Sequence, residues 1–250
     1  QKWLQSGRLT LLSGPDYAGS GEAWRCLTGD TEAPVFVAPQ LERESQEAVG
    51  RARTLVDRMR FGARANARAR RRFAPRYLVN TIHNIPAIAA SADVAALRAA
   101  FPGVPAVVVA AGPSLDANLP ALRMAGGRAL VIAVDTALRP LLDAGIEPDL
   151  AVAVDPSALN ARHLENLPDT SHTWLVGEGA LDPAAFEPFS GRTFVFAVSD
   201  HEPWPWLQSV GLGRGRLRAW GSVLTSAVDL ALVAGCDPIV FAGADLAYSG

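Results

Sequence analysis

The chain has 250 residues, 49% of them apolar, and a formal net charge of −2. That length suits one large domain, or a core with a smaller companion, and the near-neutral charge argues against bulk attraction to nucleic acid or a membrane surface. No apolar run approaches the roughly 18 residues that a membrane helix needs.

The basic residues are 22 arginines and one lysine, Lys2, a bias that reads as coding composition. Cys26 and Cys236 stand far apart and form no metal-ligand cluster; two free thiols in a reducing cytoplasm is the default reading. No secretory leader is visible. The chain starts at Gln1 and stops at Ala247-Tyr-Ser-Gly250, directly after a strand-like run. It is therefore expected to be a cytoplasmic piece of a longer protein.

Residues 1–40 are rich in glycine and turns, with Val35-Phe-Val-Ala38 as a short expected strand. Over 41–73, Val49, Ala52, Val56, Met59 and Ala63 recur at spacings of three and four, the pattern of an amphipathic helix. Ten arginines between Arg51 and Arg76 lie on or near it. Interspersed with Glu42, Glu44, Glu47 and Asp57, they read more readily as a solvated face than as a phosphate-binding one. Pro75 is expected to end the helix. A helical connector follows over Tyr77–Ala90, carrying Asn80, His83 and Asn84 on one side, then a short helix over about 93–100 and the linker Phe101-Pro-Gly-Val-Pro105.

From Pro105 onward, apolar strand-like runs alternate with helical patterns. Strands are expected over 106–111, 129–134, 150–154, 173–176, 193–198, 217–220 and 238–242. Helices are expected after Ser114, over 137–144, 157–165 and 223–234. Repeated strand–helix units imply a mostly parallel, doubly wound, Rossmann-like α/β sheet over 105–250, preceded by a mixed, then mainly helical region over 1–104.

Polar residues recur where these strands end. They are Ser114, Asp135 with Thr136, Asp155, Ser199 with Asp200 and His201, Ser222 with Thr225, and Asp245. In a parallel sheet such ends share one edge, where ligands bind. Each residue alone also suits a helix N-cap; together they point to a site. The Gly112-Pro113-Ser114 turn ahead of Leu115 can be an ordinary strand–helix turn. It can also be an anion site, with glycine allowing close approach and free helix N–H groups facing a phosphate. Gly211-Leu-Gly-Arg-Gly215 opens no helix and reads as a turn. Neither a Walker loop, a Gly-x-Ser-x-Gly elbow nor a histidine-rich metal set is present.

Three motifs in order carry a family resemblance. The first is Ala110-Ala-Gly-Pro-Ser-Leu115. The second is Val131-Ile-Ala-Val-Asp-Thr-Ala-Leu138 with Ala144-Gly-Ile-Glu-Pro-Asp149 and Val154-Asp-Pro156. The third is Gly221-Ser-Val223 with Gly235-Cys-Asp-Pro-Ile-Val-Phe-Ala-Gly-Ala-Asp-Leu-Ala-Tyr248. Together they resemble the DUF115 family of bacterial motility accessory factors (Maf proteins) and MptE-like 6-hydroxymethylpterin pyrophosphokinases. Arg76-Tyr-Leu-Val-Asn80 and Asn84-Ile-Pro-Ala-Ile88 look like the helical segment of the Maf type, which the short archaeal enzymes lack.

The resemblance implies a sialyltransferase-like core. It further implies transfer of a nonulosonic sugar from a CMP-sugar donor to flagellin or another surface protein, with no cofactor required. Carried over, Gly112, Pro113, Ser114, Leu115, Asp135, Thr136, Ser222 and Thr225 would bind nucleotide. Asp155, Asp245 and His201 are the catalytic candidates, and no metal ligand is assigned. The alternative is pyrophosphoryl transfer from ATP to a pterin, with Mg²⁺ between the phosphates and Asp135, Asp155 and Asp245. A third reading is a non-catalytic nucleotide-binding protein of flagellar or envelope assembly.

Overall fold

Among the residues described by the computed structural model (36–198, 202–218 and 221–245, with backbone alone over 58–72), seven strands form one all-parallel sheet. They are β1 Ala92–Asp93, β2 Ala106–Val109, β3 Leu130–Val134, β4 Leu150–Ala153, β5 Trp174–Glu178, β6 Thr193–Phe196 and β7 Ile239–Ala242. Across the sheet they run β1-β6-β5-β4-β3-β2-β7. The helices are α1 Pro39–Glu44, α2 Gln46–His83, α3 Ile85–Ala90, α4 Leu115–Ala125, α5 Asp135–Asp143, α6 Ala158–Ala161, α7 Trp204–Ser209 and α8 Val223–Ala234. Two 3₁₀ segments, Val94–Leu97 and Pro183–Phe189, complete the set.

The chain divides into two units, Gln1–Arg71 and Arg72–Gly250. In the first, Ala48, Val49, Ala52, Leu55 and Val56 form the half-buried stripe of α2, as the spacing predicts. Its charged face carries the exposed pairs Arg51–Glu47 and Arg53–Glu42. Such pairs contribute only about 0.2–1 kcal/mol each.

In the second unit strands β2 to β6 are buried on both faces, which is why they read as continuous apolar runs, whereas Val240 and Phe241 of the edge strand β7 are half exposed. Alternate residues serve alternate faces. Leu150, Val152, Val176 and Phe196 pack with α8 residues Ala227, Leu230 and Ala231. Ala151, Ala153, Leu175 and Val195 pack on the other side with Ile88, Leu138, Phe189, Trp204 and Leu207. Helix α8 starts at Ser222, whose Oγ accepts from Leu224 N, and ends at Gly235 in the left-handed conformation, φ 83°.

From β2 the chain steps through β3, β4, β5 and β6 in one direction. Helix α8 then returns it to place β7 on the far side of β2. The direction of winding therefore reverses at β2. The crevice between the carboxyl ends of β2 and β7 is the topological switch point, where open α/β sheets bind ligands.

Several local expectations are corrected. Helix α2 runs through Pro75 to His83. Proline removes one helical bond, but Asn80 and Thr81 are buried against the core, and this packing holds the final turns in helical form. Residues 93–100 form no α-helix. Asp93 instead extends β1 along β6 at Phe194 and Val195, and its carboxylate caps Ala95 N. The helix expected over 157–165 is the single turn Ala158–Ala161. Beyond it, Arg139 of α5 donates to the carbonyls of Glu165 and Asn166 and draws the chain back. Phe36–Ala38 carry no strand, and neither do Leu217 and Arg218 of the strand expected over 217–220, whose residues 219 and 220 lie outside the described ones; just before them Arg216 makes one bridge to Ala197.

Candidate active site at the switch point

The loops that follow β2 and β7 are laced together. Ala110 N donates to Ala242 O at 2.9 Å and Gly112 N to Gly243 O at 2.7 Å. Ser114 N then donates to Asp245 Oδ2 at 2.8 Å, and Ser114 Oγ donates to the same oxygen at 2.8 Å. These bonds continue the parallel ladder past the last strand residues. A side chain at Gly112 would place its Cβ 2.4 Å from both Asp245 Oδ2 and Gly243 O. Gly243, at φ +65°, has Ala110 O where its Cβ would stand. The Gly112 glycine, expected to admit a ligand, is thus required by the neighbouring loop.

Ser114 caps α4 by position but makes no side-chain cap. Its donors are committed to Asp245. The start of α4 therefore already carries an anion, the chain's own carboxylate, as helix N–H groups and the helix dipole favour. The Ser114 bonds hold the Asp245 carboxyl below the usual carboxylate range. Pro113 is exposed and Leu115 is buried in the core.

Asp135 follows β3 as the first residue of α5 and is buried, 2% exposed. Burial pushes its carboxyl up, against the Asn160 amide at 2.5 Å and Thr136 N at 2.8 Å, which favour the charged form. Asp155, after β4, is exposed; its Oδ1 accepts from Ser157 N at 2.8 Å, and its charge adds to the upward push on Asp135. β4 lies two strands from β2, about 10 Å across the sheet. Asp135 stands between them. Ser222 and Thr225 form one turn at the start of α8, with Thr225 Oγ1 donating to Ser222 O at 2.6 Å. His201, Ser199 and Asp200 lie outside the described residues.

Two features of this edge did not figure among the expected site residues. Asn80 donates both amide hydrogens, to Pro156 O and Ala180 O at 2.9 Å each. Asn84 does the same to Gly179 O at 3.0 Å and Leu181 O at 2.8 Å. The end of α2 thereby straps the loops after β4 and β5. The spacing of four was visible in the sequence, but not the carbonyls it serves.

The second feature is Glu178, fully buried at the end of β5. Its Oε2 accepts from Ala180 N at 2.5 Å, while Oε1 has no hydrogen-bond partner. Burial pushes its carboxyl up to about 8, although Ala180 N, the Trp204 side chain and the Val198 backbone favour the charged form. Its charge and that of Asp155 also add to the effect of burial in raising the Tyr77 hydroxyl. The signal was a carboxylate between two glycines, Gly177-Glu-Gly179, at the end of an apolar run.

The family model for "6-hydroxymethylpterin diphosphokinase MptE-like" matches residues 79–250, most of the chain. The chain belongs to the MptE-like family. Among solved structures, this MptE-like chain is similar to the Maf glycosyltransferase from Magnetospirillum magneticum AMB-1, with 21% identity and a TM-score of 0.49. The match covers 63% of this chain and 27% of that one, so the chain spans about a quarter of that protein's length. A search of curated proteins finds no match. Among the described residues no helix is long and apolar enough to cross a membrane.

Proposed function

We propose that the chain is the donor-binding core of a glycosyltransferase that takes a CMP-activated nonulosonic sugar and passes the sugar to flagellin or another surface protein. The observation that carries this reading is the Ser114–Asp245 pair at the switch point. One helix start, one backbone N–H and one hydroxyl receive one anionic group there. That capacity suits the single phosphate of CMP, which exchanges places with the Asp245 carboxylate. Asp155 stands exposed two strands away, within reach of a sugar bound beside the nucleotide. The strap from Asn80 and Asn84 supports the same reading, because the segment resembling the Maf type holds the loop that carries Asp155.

The family's description favours a second reading, diphosphate transfer from ATP to a pterin. That reaction would set Mg²⁺ between phosphates and carboxylates. Asp155 and Asp245 are exposed enough to serve, whereas Asp135 is buried and bonded to Asn160 and Thr136.

A thermal-shift comparison separates the two. CMP in EDTA raises the melting temperature under the first reading, since a ligand at 100 times its dissociation constant adds about 2.7 kcal/mol. Stabilisation by ATP with Mg²⁺ alone, and none by CMP, would establish the second. Asp155→Asn then weakens a Mg²⁺–ATP complex strongly and leaves CMP binding largely intact.

A further inference from the structure

Besides Asn80 and Asn84, the end of α2 carries Tyr77 to the carboxyl edge of the sheet. Tyr77 lies one turn before Asn80 and Thr81, and residues three and four apart share a helix face. That face is the inward one. Asn80, Thr81 and Asn84 are buried and Tyr77 is half-buried, whereas Leu78, Val79 and Ile82 are exposed. Asn80 holds the carbonyls of Pro156 and Ala180, so the turn before it lies against the loops that follow β4 and β5. Those strands are neighbours, with Ala153 opposite Gly177. Asp155 and Glu178 follow that pair by two residues and by one, on strands about 4.8 Å apart.

Asp155 is exposed and spends one oxygen, Oδ1, on Ser157 N. Glu178 is fully buried, and among the described residues its Oε1 has no hydrogen-bond partner. A buried acceptor left in this way calls for a donor. Burial first, then Glu178 and Asp155, keep the proton on the Tyr77 oxygen, so Tyr77 can donate. Its carbonyl accepts from Thr81 Oγ1 at 2.7 Å, while its hydroxyl bonds to none of the described residues. A donor beside a free carboxylate oxygen matches a ligand hydroxyl, which accepts from the one and donates to the other. The Asp155 charge repels a phosphate or carboxylate at the same spot.

We infer that Tyr77 and Asp155 bind hydroxyl groups of the donor's sugar, with the sugar's own carboxylate turned away from Asp155. The inference rests on the donor reading above and adds to it a residue of α2 that selects the sugar. β4 lies two strands from β2, about 10 Å across the sheet, which leaves room for a sugar attached to a phosphate at the Ser114 turn. The α2 helix is pinned by both asparagines, so Tyr77 is held in place before the ligand arrives and little freedom is lost on binding.

CMP and CMP-N-acetylneuraminate, titrated calorimetrically in EDTA against the 250-residue chain, test it. The parent chain should bind the sugar nucleotide more tightly than CMP. Tyr77→Phe deletes only the hydroxyl. It should weaken CMP-N-acetylneuraminate about fivefold, the worth of one hydrogen bond, and leave CMP binding and the melting temperature unchanged. Asp155→Asn, which keeps an oxygen for Ser157, should do the same. If CMP binds but Tyr77→Phe holds the sugar nucleotide as tightly as the parent does, the inference fails and the donor reading stands. Equal weakening of both ligands, or a fall in melting temperature, assigns the hydroxyl to the nucleotide or to the fold and also overturns it. So does a parent chain that binds the sugar nucleotide no more tightly than CMP. Binding of neither ligand to the parent removes the donor reading and the inference together.

Discussion

The Asp245 carboxylate rests on the Ser114 N–H and hydroxyl, 2.8 Å from each, across 131 residues of sequence. An acidic group thus holds the place at the start of α4 that a phosphate would take. Because Ser114 keeps the carboxyl below its ordinary range, the group is charged at neutral pH and competes with any incoming anion there.

Asp245→Ala removes that competitor. CMP is expected to bind several-fold more tightly to the variant, read by calorimetric titration in EDTA. Weaker CMP binding would mean that Asp245 contacts the ligand instead of yielding to it.

Gly243→Ala and Gly145→Ala separate backbone strain from loop contact. Both glycines have positive φ, +65° and +71°, but only Gly243 has a neighbour, Ala110 O, in the way of a Cβ. Gly145→Ala should cost about 1–2 kcal/mol from conformation alone. Gly243→Ala should cost about 1–3 kcal/mol more from overpacking. Urea midpoints of the two variants check the difference, and equal losses would show that the loops part easily.

The two asparagines make a paired prediction. Asn84→Ala leaves two carbonyls without donors at a buried position, a loss of about 2–4 kcal/mol. Asn80→Ala should lose a similar amount and also free the Asp155-Pro156 loop. Hydrogen exchange of Ser157 N, which Asp155 holds, should quicken in Asn80→Ala and not in Asn84→Ala.

Glu178 sets a pH dependence. Its carboxyl titrates near 4.5 when unfolded and near 8 when folded. Between those values the folded chain holds one proton more, so stability falls as pH rises and levels off above 8. The slope is about 1.4 kcal/mol per unit. Glu178→Gln removes this contribution. Between pH 5.5 and 7.5 the parent chain should lose roughly 2–3 kcal/mol relative to the variant in urea denaturation. Parallel losses would show that Glu178 ionises as freely in the folded chain.

The sheet was legible because burial on both faces writes itself as unbroken apolar runs, such as Ala106–Val109 and Leu130–Val134. The edge on which Ser114, Asp135, Asp155 and Asp245 lie followed from strand direction alone. Which of them meet did not. Ser114 and Asp245 are brought together by strand order, placing β7 beside β2, and no local pattern encodes that neighbour. Asp135 and Asn160 meet through a turn that the helical pattern over 157–165 concealed. Glu178 escaped notice because one carboxylate between glycines carries no periodicity. Pro75 misled because local helix breaking was outweighed by distant hydrogen bonds from Asn80 and Asn84.

The lacing of the β2 loop to the β7 loop also has a consequence for biosynthesis. Synthesis proceeds from the N-terminus, so Ser114 leaves the ribosome long before Asp245, and β7 joins the sheet after β2 to β6. Long-range pairing of this kind is slow to form. Until it forms, the crevice has one wall. A nascent or truncated chain that stops short of Gly243 lacks one wall of the crevice, however well β2 to β6 have assembled. The two-walled crevice is thus acquired in one step, when β7 docks beside β2.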